Sequence, residues 1–303
     1  MSETTEAAPT CYRHPDRETY VRCTRCDRPI CPDCMNTAAV GFQCPECVRE
    51  GNKTVRQART TFGGRVGEDA NVTKVLVGIC VVAFVVQLAS DKFTFDYAAN
   101  GMAIASGEYY RLITSAFLHS DDFLLHIVFN MYALLAFGSQ VERHLGGVRF
   151  LLLYLVAALG GSVLSLMFSS PYGLALGASG AVFGLFGAYF VMARKLRGDT
   201  SQIVVLVVIN LAIGFAAGGY IDNWAHIGGL LTGAAVAFVY TQVPRGRNQA
   251  ALQFAGVAVV AALLVAATVV RTDDLRTNPP PIPQEPLSLP TSAATSSTDV
   301  PSR

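Results

Sequence analysis

Charge is scarce in this chain. Asp, Glu, Lys and Arg make up 15% of its 303 residues, against about 25% in soluble domains. That argues against an ordinary soluble enzyme. The net charge is only +1, so bulk charge favours neither nucleic acid nor acidic partners. Lys and Arg are missing altogether from residues 171–177 and 219–223. No His-Glu dipeptide occurs, which excludes the H-E-x-x-H zinc-protease motif. No internal repeat marks a transporter. No apolar run precedes Val72, so no cleaved leader is expected. After residue 48 the only cysteine is Cys80, read as a buried small hydrophobe.

What is abundant is apolar. Hydrophobic residues reach 51% and fall into seven blocks. These are Val72–Ser90, Phe123–Gln140, Phe150–Phe168, Ala178–Val191, Ile203–Gly218, Ala225–Val239 and Leu252–Val270. A membrane crossing takes roughly 17–25 apolar residues. The fourth to sixth blocks are short and rich in Gly and Ala, as suits inner helices with closely approaching backbones. Seven spans put the two termini on opposite sides. Lys53, Arg56, Arg59 and Arg65 precede the first span, and Arg194, Lys195 and Arg197 follow the fourth. The excess of Lys and Arg there makes the N-terminus cytoplasmic and the C-terminus external. A bacterial cell membrane is the expected setting.

The other cysteines stand in four x-x-spaced pairs with one histidine. They are Cys11 with His14, Cys23 with Cys26, Cys31 with Cys34, and Cys44 with Cys47. One such pair grips a metal ion from a tight turn, and two complete a tetrahedral zinc site. The second and third pairs are only four residues apart, too close for each to form a compact site with its immediate neighbour. Interleaving is therefore expected: Cys11, His14, Cys31 and Cys34 on one zinc ion, and Cys23, Cys26, Cys44 and Cys47 on the other. A disulfide framework is the alternative, and it would require an oxidising compartment. The pattern resembles cross-braced B-box and RING-like modules. Such a module would be cytosolic, would draw its fold from two structural zinc ions, and could meet a cytosolic protein partner. Its arginines are read as a solvated face.

Ionisable residues inside spans are costly and mark function by default. They are His126, Glu142 and His226, accompanied by Ser179 and Asn130. His126 and Asn130 share a helix face. The derived topology puts Ser179, His126, Asn130 and His226 at one depth, below the outer surface. A serine, a histidine and two further donors form the parts list of acyl transfer.

At this point the sequence resembles the rhomboid family of intramembrane serine proteases. The resemblance rests on GASGAVFG around Ser179, HIVFN from His126 to Asn130, AHIGGLLTG from Ala225 to Gly233, GSQVERHLG from Gly138 to Gly146, and YYRLITSAFLHS before the second span. It implies a mainly α, polytopic helix bundle: a six-helix core over residues 72–240 and a seventh helix within 241–270. It further implies Ser179 as nucleophile, His226 as general base, and His126, Asn130 and the Ser179 amide as oxyanion hole. Gly177 and Gly180 would admit substrate backbone, and Phe183 would stack on His226. Gly229 and Gly233 would press span six onto span four. Glu142 and Arg143 would bond loops at the inner end of span two, and Arg111 and His119 would organise the first outer loop. No catalytic cofactor is implied. The substrates would be transmembrane proteins cut within the lipid bilayer, near its outer face.

This chain departs from the family in carrying Tyr110 before Arg111 where Trp is frequent, in extra residues between His119 and His126, and in Phe183 where some members have tyrosine. Asp222 is expected to cap its helix rather than orient His226. Residues 1–10 and the Pro/Ser/Thr-rich stretch 271–303 are expected to be disordered, and residues 49–71 to form a tether.

Overall fold

The structure, a computed structural model, describes residues 8–54, 58–66, 70–121, 123–216 and 221–282. The chain divides into two compact units, Met1–Ala58 and Arg59–Arg303.

The first unit has little regular structure. A 3-10 turn at Pro32–Cys34 leads into a hairpin of β1 (Asn36–Thr37) and β2 (Phe42–Gln43), then α1 (Pro45–Thr54). Gly41 takes φ +66° in the hairpin turn, a conformation that costs glycine no Cβ clash. The core consists of Ile30 and six buried cysteines. That is too little apolar burial to offset the chain entropy of a domain this size.

The second unit is a helix bundle. Its first elements are α2 (Asn71–Ala89), α3 (Asp91–Tyr97), α4 (Gly101–Ala105) and α5 (Arg111–Thr114). The second long helix comprises α6 (Leu124–Ala133), a π-helical turn at Leu134–Gly138 and α7 (Ser139–Leu145). Gly146, at φ +79°, ends it. Then follow α8 (Gly147–Phe168), α9 (Ser179–Lys195), α10 (Ser201–Ala216), α11 (Asn223–Gln242) and α12 (Gln249–Thr277). Five of these spans are long and apolar enough to cross a membrane: 71–89, 124–145, 147–168, 223–242 and 249–277. The seven expected blocks thus fall on seven helical spans.

α9 and α11 meet backbone to backbone. A Cβ on Gly229 would stand 1.8 Å from the Gly180 carbonyl oxygen, and one on Gly233 would stand 2.1 Å from that of Gly184. Only hydrogen fits there. In lipid the apolar effect does not drive helices together, so this close van der Waals contact carries the association.

Two expectations need correction. Part of the expected tether is packed: Phe62 is buried in the bundle core, and Gly64 lies against the Leu145 carbonyl. The last helix runs past Val270 to Thr277. There Arg271 pairs with Asp274 at 2.5 Å, and Leu275 is buried against Ile104, Leu112 and Leu166, so a polar stretch gains helical support. Glu142, expected to bond loops at the inner end of span two, lies in α7 at that end. It accepts from the Val72 amide at 3.0 Å, the Thr73 amide at 2.8 Å and the Thr73 hydroxyl at 2.7 Å, which caps the start of α2. The rest of the expected N-terminal and C-terminal tails, 1–7 and 283–303, lies outside the described residues.

Candidate active site and zinc centres

Ser179 opens α9, where the first amides have no partner within the helix. Its Oγ stands 2.9 Å from His226 Nε2. His226 is carried by the first turn of α11, and the glycine contacts between α9 and α11 set that distance. The His226 ring stacks on Phe183, with centroids 4.2 Å apart and planes 4° from parallel. Its Nδ1 is buried and has no hydrogen-bond partner among the described residues. If the serine hydroxyl donates to Nε2, the imidazole proton is on Nδ1, and packing on Phe183 rather than a carboxylate holds the ring.

Asp222 is committed elsewhere. Its carboxylate caps α11 by accepting from the Ala225 amide at 3.1 Å, and accepts from the hydroxyls of Ser165 and Ser169, the latter at 3.0 Å. The sequence reading did not single out these two serines. Their signal is the four-residue spacing, which puts both on one face at the end of α8.

His126 faces the same space as Ser179. The Ser120 amide donates to His126 Nδ1 at 3.3 Å, which assigns the ring proton to Nε2. A Cβ on Gly177 would stand 3.0 Å from His126 Cε1 and Nε2 and 3.5 Å from Ser179 Oγ. Gly177, at φ +137°, therefore leaves open a space bounded by the Ser179 hydroxyl on one side and the His126 ring N–H on the other. Gly180 lies against the Ala225 carbonyl and Gly161, so it serves helix packing. Asn130 is buried, and its amide donates to the His126 carbonyl at 2.9 Å. This bond ties the Asn130 side chain to the His126 backbone.

The loop before α6 is held by Arg111 and by Gln87. Arg111 donates to the carbonyls of Phe95 and Ala98 at 2.5 and 2.8 Å and pairs with Glu108 at 2.6 Å. Gln87, another residue not singled out from sequence, exchanges two hydrogen bonds with the backbone of His119 at 2.9 and 3.0 Å. The buried His119 ring meets His126 edge-on at 5.3 Å.

In the first unit the eight ligands converge as two sets. Cys11, His14, Cys31 and Cys34 form one, and Cys23, Cys26, Cys44 and Cys47 the other, with ligand atoms within 4.8 Å of one another in each set. No cysteine is in a disulfide. His14 Nδ1 lies 3.2 Å from Cys31 Sγ, and Cys26 Sγ lies 3.7 Å from Cys44 Sγ. Zinc–sulfur bonds of about 2.3 Å give a tetrahedron with edges of about 3.8 Å, so both sets fit that ion.

The electrostatics also suit a cation. Burial, followed by the Cys44, Cys26 and Cys23 thiols, pushes Cys47 up to about 12. At Cys23 burial also pushes upward, but hydrogen bonds from the Cys44, Arg25 and Cys26 backbone outweigh it and bring the thiol down to about 6. Four such thiols do not all ionise unaided. Arg28 assists the second set. It donates to Cys26 Sγ at 3.3 Å and Cys44 Sγ at 3.7 Å while pairing with Glu46 at 2.6 Å.

A rhomboid-domain profile matches residues 106–243. Rhomboid protease GluP of Bacillus subtilis is 47% identical over 141 residues, 45% of this chain and 27% of that one. RHOMBOID-like protein 6, mitochondrial, of Arabidopsis thaliana is 37% identical over 150 residues, 47% of each chain. This chain therefore spans less than half the length of either. The rhomboid-family protein YdcA of Bacillus subtilis is 32% identical over 145 residues, 46% of this chain and 72% of that one. By its helical bundle, its profile match and its coverage of that relative, the chain belongs to the rhomboid family.

Proposed function

We propose that the chain is an intramembrane serine endopeptidase with a Ser179–His226 dyad. The observation that carries this reading is the 2.9 Å approach of Ser179 Oγ to His226 Nε2, in a chain related to named rhomboid proteases. Ser179 Oγ attacks a peptide carbonyl and His226 Nε2 accepts its proton. The His126 Nε2–H and the Ser179 amide, at the positive end of α9, stabilise the oxyanion. His226 then protonates the leaving amine, and water hydrolyses the acyl-enzyme by the same proton route. Asn130 supports His126 and joins the oxyanion hole by turning its amide from the His126 carbonyl.

The Lys and Arg distribution supports a cytoplasmic N-terminus, an external C-terminus and cleavage of transmembrane proteins near the outer face. The two Cys/His sets would hold structural zinc, which supplies folding energy to the first unit. No catalytic cofactor is part of this reading. The test is labelling by a fluorophosphonate probe together with cleavage of a transmembrane substrate. Wild type should do both, and Ser179→Ala neither. Cleavage by Ser179→Ala would overturn the reading.

A further inference from the structure

The turn formed by residues 59–65, at the far end of α8 from Ser165, is bonded by the side chains of Arg59, Arg245 and Gln253, the last of which also holds Arg149. Arg59 Nη1 donates to the Gly63 carbonyl at 3.2 Å, and Arg245 Nη2 to the Thr61 carbonyl at 3.0 Å. Gln253 donates to the Phe62 carbonyl at 3.1 Å and accepts from Arg149 Nε at 2.8 Å. Arg149 is only 6% exposed. Among the described residues none of the three cations forms an ion pair. Glu142 is engaged in capping α2.

A buried cation without a counter-charge is costly. Arg149 has the Phe254 ring at 5.3 Å, but its two terminal nitrogens donate to no protein acceptor among the described residues. These nitrogens are not among the buried unpartnered atoms, so an anion can reach them. Beside it begins α12, a 29-residue helix whose N-cap, Asn248, gives no side-chain bond. The Gln249 amide donates to the Gly246 carbonyl, and the remaining amides of the first turn and the positive dipole end add to an anion site. The surroundings are also amphiphilic: Val148 is 67% exposed and Leu252 55% exposed, next to the cluster.

We propose that Arg149, Arg59 and Arg245, with the first turn of α12, bind the phosphate of an anionic membrane phospholipid whose acyl chains run along α8 and α12. Phosphate takes planar, forked donors well. The exposed apolar side chains beside it select a lipid over a free ion. The site would fasten the 59–65 turn to the bundle. It is independent of the proteolytic reading.

The test uses the full chain in a neutral detergent, with thermal unfolding followed as ligands are titrated. Short-chain phosphatidylglycerol should raise the midpoint saturably, while phosphatidylcholine and inorganic phosphate should not. Arg149→Gln and Arg245→Gln should each weaken the phosphatidylglycerol response about tenfold or more, the loss of one charged hydrogen-bonding partner. Arg197→Gln, an exposed base outside the cluster, should leave it unchanged. An equal response to phosphatidylcholine, or a full response to inorganic phosphate, would overturn the proposal. So would equal weakening by Arg197→Gln. Should Arg149→Gln fail to fold, Arg245→Gln on the exposed rim decides, and an unchanged response there overturns it.

Discussion

Asp222 and His226 stand one helical turn apart, yet their side chains share no hydrogen bond. The carboxylate turns to Ser165, Ser169 and the Ala225 amide, and His226 Nδ1 stays unpartnered. In a soluble triad the acid bonded to Nδ1 is worth about 10⁴ in kcat. Here Asp222→Asn should stay within roughly tenfold of wild type, since the amide oxygen still caps α11. Asp222→Ala should lower the unfolding temperature, because it removes the cap and two interhelical bonds together. A thousandfold loss of kcat in folded Asp222→Asn would establish a triad.

Ser179→Ala and His226→Ala should each remove cleavage by several orders of magnitude, with normal insertion. The double variant should be no worse, because a nucleophile and its base act as one unit. A progress curve with a transmembrane substrate in proteoliposomes decides this. Residual activity that falls further in the double variant would show that the two act separately.

His126→Ala and Asn130→Ala separate donor from support. Loss of one oxyanion donor costs about 10²–10³ in kcat, which is the expectation for His126→Ala. Asn130→Ala should cost less, with most of the effect in kcat, if Asn130 works chiefly by holding the His126 backbone. A loss at Asn130 as large as that at His126 would give its amide an equal share of the oxyanion.

Gly229→Val should part α11 from α9. Its Cβ would overlap the Gly180 backbone, and overpacking typically costs about 1–3 kcal/mol. Both the unfolding temperature and kcat should fall. Gly78→Ala is the control, since a Cβ there meets nothing within 4 Å. It should be neutral or slightly stabilising, as alanine favours helix over glycine by about 1 kcal/mol. Equal effects at both positions would refute the packing argument.

In the first unit, two zinc ions per chain should be found by elemental analysis. Chelation should unfold residues 8–54, as measured by circular dichroism of the isolated segment with and without metal. Proteolysis in detergent should survive deletion of 1–58, because no residue of the proposed catalytic set lies there. A stoichiometry of one, or a segment that stays folded after chelation, would break the paired-site reading.

Residues that act through local spacing were legible in the sequence. The x-x gaps foretold which cysteines converge, because a tight turn fixes that geometry. Gly229 and Gly233 announced a close helix contact at a four-residue repeat. The partners of Asp222 were not legible, since Ser165 lies 57 positions away and serine is common in membrane helices. Gln253 was missed for the same reason: its bonds to Arg149, Phe62 and Tyr240 cross up to 191 positions. The end of α12 was misplaced because its last two turns are polar, and only the burial of Leu275 against distant residues keeps them helical.

The π-helical turn at Leu134–Gly138 bears on how this chain tolerates insertions and deletions. An uninterrupted α-helix turns about 100° per residue, so Asn130 and Glu142 would face about 120° apart. One residue absorbed by a π-turn brings them to about 20°. The same rod can then turn the buried Asn130 side of α6 toward the bundle at one end and Glu142 toward the start of α2 at the other. Deleting a single residue between 134 and 138 would leave each half a sound helix but rotate the two halves out of phase. Whichever end kept its neighbours, the other would lose them.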